Sequence, residues 1–174
     1  EDDRPVLLTD GTSTITSTAT FNQWYNDVEG INESTSYTIF FLNNAAATDI
    51  YTFAQGPFFP IDGELLGNEG RSHNYHFTFM LESEFTYQGG EVFEFTGDDD
   101  IWVFINRKLV IDLGGIHNAL TESVDLDSIA SSIGMTVGNT YSFHFFSAER
   151  RTTGSNANIS TSLAYTSTTG CDNP

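Results

Sequence analysis

Along most of this chain hydrophobic side chains recur at every second position. Tyr37, Ile39 and Phe41 do so, and the spacing returns at Phe77 and Phe79, at Phe93 and Phe95, and at Tyr141, Phe143 and Phe145. Neighbouring side chains of an extended strand point to opposite faces, so this period predicts half-buried strands. Ile101 to Ile105 is apolar at odd and even positions alike, which predicts a central strand covered on both faces. Asn106-Arg107-Lys108 reads as a turn, with Leu109 to Asp112 returning as the second arm of a hairpin. A last strand is expected through Ile159, Leu163 and Tyr165. One window departs from this rhythm. Phe21, Trp24, Tyr25 and Val28 follow the i, i+3, i+4, i+7 spacing, predicting a short helix over 21–29 with Thr20 as cap and Gly30 as terminator. A further helical turn is expected between Leu126 and Gly134. Short strands punctuated by glycine argue for a sandwich or barrel, an all-β fold with one or two short helices.

Composition narrows this picture. The 174 residues suit one domain, and 15 phenylalanines require a packed interior. The aromatic clusters are too short to cross a bilayer, so no membrane insertion is expected. With 24 acidic residues against 6 basic ones, the net charge of −18 repels nucleic acid and anionic lipid. Such a surface suits a salty or calcium-rich exterior. Cys171 is the one cysteine, which excludes an internal disulfide and a cysteine-based zinc site. The Thr-rich run around it reads as a linker, giving a domain over 1–166 and a C-terminal linker or the start of a next region over 167–174. The polar start Glu1-Asp2-Asp3-Arg4 is consistent with a processed or excised piece of a larger multidomain protein. Asn32 and Asn158 each open an Asn-x-Ser sequon.

The segment that points to chemistry is Thr96-Gly97-Asp98-Asp99-Asp100. Three adjacent carboxylates repel one another, and read as a hairpin loop the segment gains nothing structural from all three. A calcium ion, which takes six to eight hard oxygen ligands, would relieve that repulsion. Adjacent strand residues face opposite ways, so two neighbouring aspartates reaching one ion need a distorted backbone, for which a cis peptide would serve.

These residues carry a resemblance. GGEVFEFTGDDDIWVFINRKLVIDLGGIH, with FFPIDGELLGN, NYHFTFMLESEFTYQGG and FFSAERRTTGSNANISTSL around it, resembles the PA14 superfamily in its fibro-slime branch over roughly residues 20–166. The resemblance implies an antiparallel β-sandwich of the PA14 type on a secreted or cell-surface protein. It further implies a calcium-dependent, lectin-like adhesin module in which an aspartate pair joined by a cis peptide holds the ion, and the ion holds sugar hydroxyls. That pair matches Asp98 and Asp99. Asp100 stands where many relatives have glycine. The loop that completes such a site corresponds to Glu149 to Ala157, with Asn156 its best side-chain ligand.

Other candidates read more plainly. His117 is either a loop-capping histidine or a ligand contact at the rim of the same end. Arg150 and Arg151 pair with nearby acids or contact the ligand, and Arg151 with Asp100 and His117 completes the candidate ligand-binding set. His73 and His76 would face opposite ways on a strand and make no zinc pair. Glu82 and Glu84 share one strand face instead of flanking a scissile bond, which reads as a solvated edge and not as a glycosidase pair. No metalloprotease, nucleophile-elbow, P-loop or dinucleotide motif occurs, and the chain reads as a binding module instead of an enzyme. Three functions remain: a calcium-dependent glycan-binding adhesin module, a structural or protein-partner module of a matrix or surface protein, and an accessory domain of a glycoside hydrolase.

Overall fold

The computed structural model describes residues 3–43 and 48–168, the last three by their backbone. Nine strands follow a short helix, α1 (Thr18–Phe21): β1 (Tyr51–Gln55), β2 (Phe77–Thr86), β3 (Val92–Gly97), β4 (Asp100–Ile105), β5 (Lys108–Leu113), β6 (Leu120–Asp125), β7 (Thr140–Glu149), β8 (Ala157–Thr161) and β9 (Tyr165–Thr168), with α2 (Leu126–Ile129) after β6. They form a four-stranded sheet in the order β1-β8-β3-β6 and a five-stranded sheet in the order β5-β4-β7-β2-β9. Every pairing is antiparallel, so the architecture is the expected β-sandwich.

The alternating phenylalanines fill the space between the sheets. Phe93 and Phe95 of one sheet meet Phe143 and Phe145 of the other at 5.1 and 4.9 Å between ring centroids. Each fully buried side chain of this size contributes about 1.5–3 kcal/mol. Phe143→Ala would cost about 3–5 kcal/mol by leaving a cavity there. β4 is covered twice, as its composition demands. Ile101, Val103 and Ile105 face this core, while Trp102 and Phe104 face a second cluster with Phe146, Ile15, Phe21 and Tyr25. The N-terminal segment therefore covers the outer face of the five-stranded sheet. Asn106 and Arg107 take φ values of +48° and +60°, the left-handed pair that a two-residue turn needs to return β4 into β5.

Three expectations change. The apolar stripe Phe21, Trp24, Tyr25 is core-facing, but the helix itself spans Thr18–Phe21 and is capped by Ser17, whose hydroxyl accepts the Thr20 N–H. Helical hydrogen bonding gives way to looser turns beyond Asn22, because the Asn32 side chain takes the carbonyls of Gln23 and Asn26. Tyr37 to Phe41 is extended without a ladder. Ile39 and Phe41 lie against the core, and the single bridge Leu42 to Thr52 joins that stretch to β1. The predicted strand through Ile159 and Tyr165 is two strands, since residues 162–164 carry the chain from one sheet to the other. α2 with the turn closed by Gly134, at φ +73°, follows the expectation. β9 runs to Thr168, past the expected boundary at 166, while Cys171 lies outside the described residues.

Candidate functional site

Four connections cross between the sheets at one end of the sandwich. There β1 passes to β2 through residues 56–76, β3 to β4 through Asp98 and Asp99, β5 to β6 through 114–119, and β7 to β8 through 150–156. Packed sheets lie about 10 Å apart, so a two-residue crossing has little slack. It is achieved with Asp99 in the left-handed region at φ +53°. Among the described residues the one cis peptide is Gly56-Pro57, so the Asp98–Asp99 bond is trans and the distortion resides in φ of Asp99. The aspartate segment is therefore a crossover and not a hairpin loop.

That difference gives two of the three aspartates a structural task. Asp99 is 1% exposed. Its carboxylate accepts the backbone N–H groups of Arg150 at 2.9 Å, Arg151 at 3.0 Å and His117 at 3.3 Å. One side chain thus ties three crossings together. Asp100, expected in the ligand-binding set, is fully buried. It accepts the Gly115 N–H at 2.7 Å and pairs with Arg150 Nε at 2.5 Å. Burial pushes its carboxyl up from the usual range, opposed by the Gly115 N–H and the Arg150 charge. The same guanidinium lies 5.1 Å over the Trp24 ring and donates to the Thr14 carbonyl, clipping the N-terminal segment to the site.

Asp98 is different. It is half-buried, and the partner of its carboxylate is a side chain, Asn156, whose Nδ2 donates at 2.8 Å. Two glycines make room for Asn156. A Cβ on Gly97 would stand 2.7 Å from the Asn156 carbonyl oxygen, and one on Gly56 would stand 2.8 Å from Oδ1. In front of this pair opens a cleft of about 460 Å³ lined by Asp98, Asp99, His117, Arg151, Gly154 and Asn156. The His117 ring lies against the carbonyls of Asn118 at 2.9 Å and Leu113 at 3.0 Å, holding the β5–β6 crossing in shape while one edge lines the cleft. Arg151 is exposed, and its guanidinium makes no ion pair among the described residues. Five of the six nominated residues thus share one cleft, and Asp100 lies behind it.

Glu149 was not nominated. It is 6% exposed and accepts the Arg151 N–H at 2.9 Å. Burial pushes its carboxyl up to about 8; the Arg151 N–H opposes this, and the Asp99 charge pushes it further up. The signal was present in the period of β7. Phe143 and Phe145 face the core at odd positions, so Glu149 places a carboxyl on the inward face.

Among the described residues no three Asp, Glu, His or Cys side chains converge as a metal site. An ion at Asp98 and Asp99 would have to draw on Asn156 and backbone carbonyls. The donors at hand are hard oxygens, the chemistry calcium accepts. The remaining candidates are accounted for elsewhere. His73 sits in the β1–β2 crossing, not on a strand, stacked on Phe59 at 3.9 Å and bonded to Asp62. Glu82 lies on the outer face of β2, an interior strand instead of an edge, and pairs with Arg4. No helix among the described residues is long and apolar enough to cross a membrane.

The profile of the PA14 domain matches residues 66–174. Protein psiQ of Dictyostelium discoideum is 40% identical over 178 residues, covering 95% of this chain and 18% of that protein. Protein psiC of the same organism is 41% identical, covering 87% of the chain and 30% of that protein. Protein psiB is 48% identical, covering 67% and 22%. The chain thus spans less than a third of the length of each of these relatives. No solved structure matches it.

Proposed function

The chain belongs to the PA14 domain family, and from that premise we propose that its crossover end is a calcium-dependent carbohydrate-binding site in an adhesin module. The family is associated with carbohydrate binding and adhesion, and its members are typically extracellular. PA14 domains are generally binding or accessory modules, some of them within glycosidases. The observation that carries the reading is the pair Asp98–Asn156 at the mouth of an open cleft. Asp99, Asp100 and Glu149 are buried behind it, whereas Asp98 is half-exposed beside the cleft.

Asp98, Asp99 and Asn156 would hold the ion, with backbone carbonyls of the 150–156 crossing adding oxygens. Bound calcium supplies coordination positions that vicinal hydroxyls fill as neutral ligands. Asp100 and Arg150 support the crossings from behind, while His117 and Arg151 border the ligand and set selectivity. Affinity for one monosaccharide would be weak, about 1 mM or roughly −4 kcal/mol, because few contacts offset the cost of ordering it. Repeated presentation on a larger surface protein would compensate. A structural or partner-binding module is the second reading. It is favoured by the backbone N–H groups and the Arg150 guanidinium that Asp99 and Asp100 already engage.

The test is titration of the wild type and Asp98→Asn with a panel of monosaccharides, in calcium and in chelator. Asp98→Asn is chosen because Asp99→Ala would disturb three crossings at once. The lectin reading expects millimolar binding by the wild type in calcium alone, weakened at least tenfold in the variant. If the wild type ignores every sugar with calcium present, the structural reading takes its place.

A further inference from the structure

Asn32 and Asn158 both open Asn-x-Ser sequons, and the fold treats the two side chains in opposite ways. Asn32 is the staple of the turn after α1. Its Oδ1 accepts the Val28 N–H at 2.7 Å, and its Nδ2 donates to the carbonyls of Gln23 at 2.7 Å and Asn26 at 2.8 Å. All of its amide hydrogens are spent on the backbone. Asn158 occupies the middle of β8, an interior strand of the four-stranded sheet. Inward and outward positions alternate along β8, placing Asn158 and Ser160 on the outer face. Its neighbours across the sheet are small, Ala54 on β1 and Thr96 on β3, with the exposed Thr121 beyond. Thr96 and Thr121 bond each other at 2.7 Å. The Asn158 side chain makes no hydrogen bond among the described residues. It stands half-exposed on the outer face between Ala54 and Thr96.

We propose that Asn158 is an N-glycan acceptor and that Asn32 is not, for this chain passing through a eukaryotic secretory route. The donor class is an oligosaccharide carried on a polyprenyl diphosphate. Nδ2 attacks C1 of its first sugar, the Nδ2–C1 bond forms, and the bond from C1 to the diphosphate oxygen breaks. The lipid diphosphate leaves, and the amide loses one proton. At Asn158 this replaces a hydrogen that has no partner, and the sugar projects to solvent. At Asn32 the new carbon, about 1.45 Å from Nδ2, would lie between Nδ2 and a carbonyl oxygen only 2.7–2.8 Å away. The turn over residues 23–32 could not close around it. Transfer precedes folding, so both sequons meet the transferase, but only a chain bare at Asn32 can build this turn.

The test is secretion of the 174-residue chain from a eukaryotic host. Enzymatic deglycosylation in heavy-oxygen water follows, with peptide mapping, since it marks each former glycan site as a labelled aspartate. The expected result is a label at Asn158 and none at Asn32 in the folded, secreted wild type. Asn158→Gln should lose the entire glycan mass while keeping the wild-type melting temperature. A label at Asn32 in folded protein, or none at Asn158, overturns the assignment. The wild-type map decides the matter even if substitution of Asn32 prevents folding.

Discussion

The two ends of the sandwich both carry clustered acids, yet they use them differently. At the far end Glu91 accepts the N–H groups of Gln88 and Gly89 at 2.5 and 2.8 Å, and Asp127 accepts the Gly90 N–H and the Tyr87 hydroxyl, both at 2.7 Å. Asp125 caps α2. These bonds shape one turn and one helix start, and most of them join near neighbours in sequence. The Gly90 N–H, then the Tyr87 hydroxyl, hold Asp127 below its ordinary range, and the bond to Asp127 leads in pushing the Tyr87 phenol up to about 12. At the crossover end Asp99 reaches donors 51 and 52 residues away. There a third acid, Asp98, remains on the rim of a cleft. Acids that hold backbone are ordinary in this fold. A half-exposed carboxylate beside an open cleft is what sets the crossover end apart, and it makes Asp98 the aspartate of the proposed ion-binding pair that can be changed with least damage to the crossings.

The sharpest way to break this comparison is to remove the staple at each end. Asp99→Ala would strand the N–H groups of Arg150 and His117 behind the cleft at about 1–3 kcal/mol each, while that of Arg151 keeps Glu149. Its loss should therefore exceed about 2 kcal/mol and lower Tm by about 4–8 °C. Asp127→Ala, at an exposed turn, should lower it by no more than about 3 °C. Equal losses in thermal unfolding would remove the distinction between the ends.

A smaller effect separates the ends by pH. Glu149 has its folded value raised to about 8 from 4.5. The unfolded chain therefore ionises first, and stability is lost as pH rises between those values. Glu149→Gln cannot ionise. It should match the wild type near pH 5 and exceed it by about 2–4 °C above pH 8. Asp127 has a depressed value, so its contribution runs the other way and is lost as pH falls. Above pH 8 the Glu149→Gln curve should lie above wild type and the Asp127→Ala curve below it, and both should approach wild type as pH falls. Parallel curves would contradict the assigned environments.

Local pattern made most of the sandwich legible. Period two placed β2, β3 and β7, the run apolar on both faces placed β4, and the turn after it placed β5. Period two also placed Ile39 and Phe41 inward where no ladder forms, since alternation reports which face is buried and not which backbone groups pair. The site was legible as a set of residues through its acids and its resemblance to a family. Its wiring was not. A two-residue hairpin and a two-residue crossing look alike in sequence, and the partners of Asp99 and Asp100 lie beyond the reach of spacing rules. Glu149 was visible as a charge on an inward position of β7, a signal obscured by the apolar run before it.

The central claim rests on Asp98, whose replacement by asparagine should barely alter stability in chelator, because the Asn156 contact is half-exposed. An ion bound to the folded state alone raises stability with its concentration. The direct measurement is thermal unfolding of the wild type and Asp98→Asn, each in chelator and in millimolar calcium. The account predicts that calcium raises the wild-type Tm by several degrees and leaves the variant where chelator does. A wild-type Tm indifferent to calcium, or a variant that responds as fully as the wild type, would contradict it.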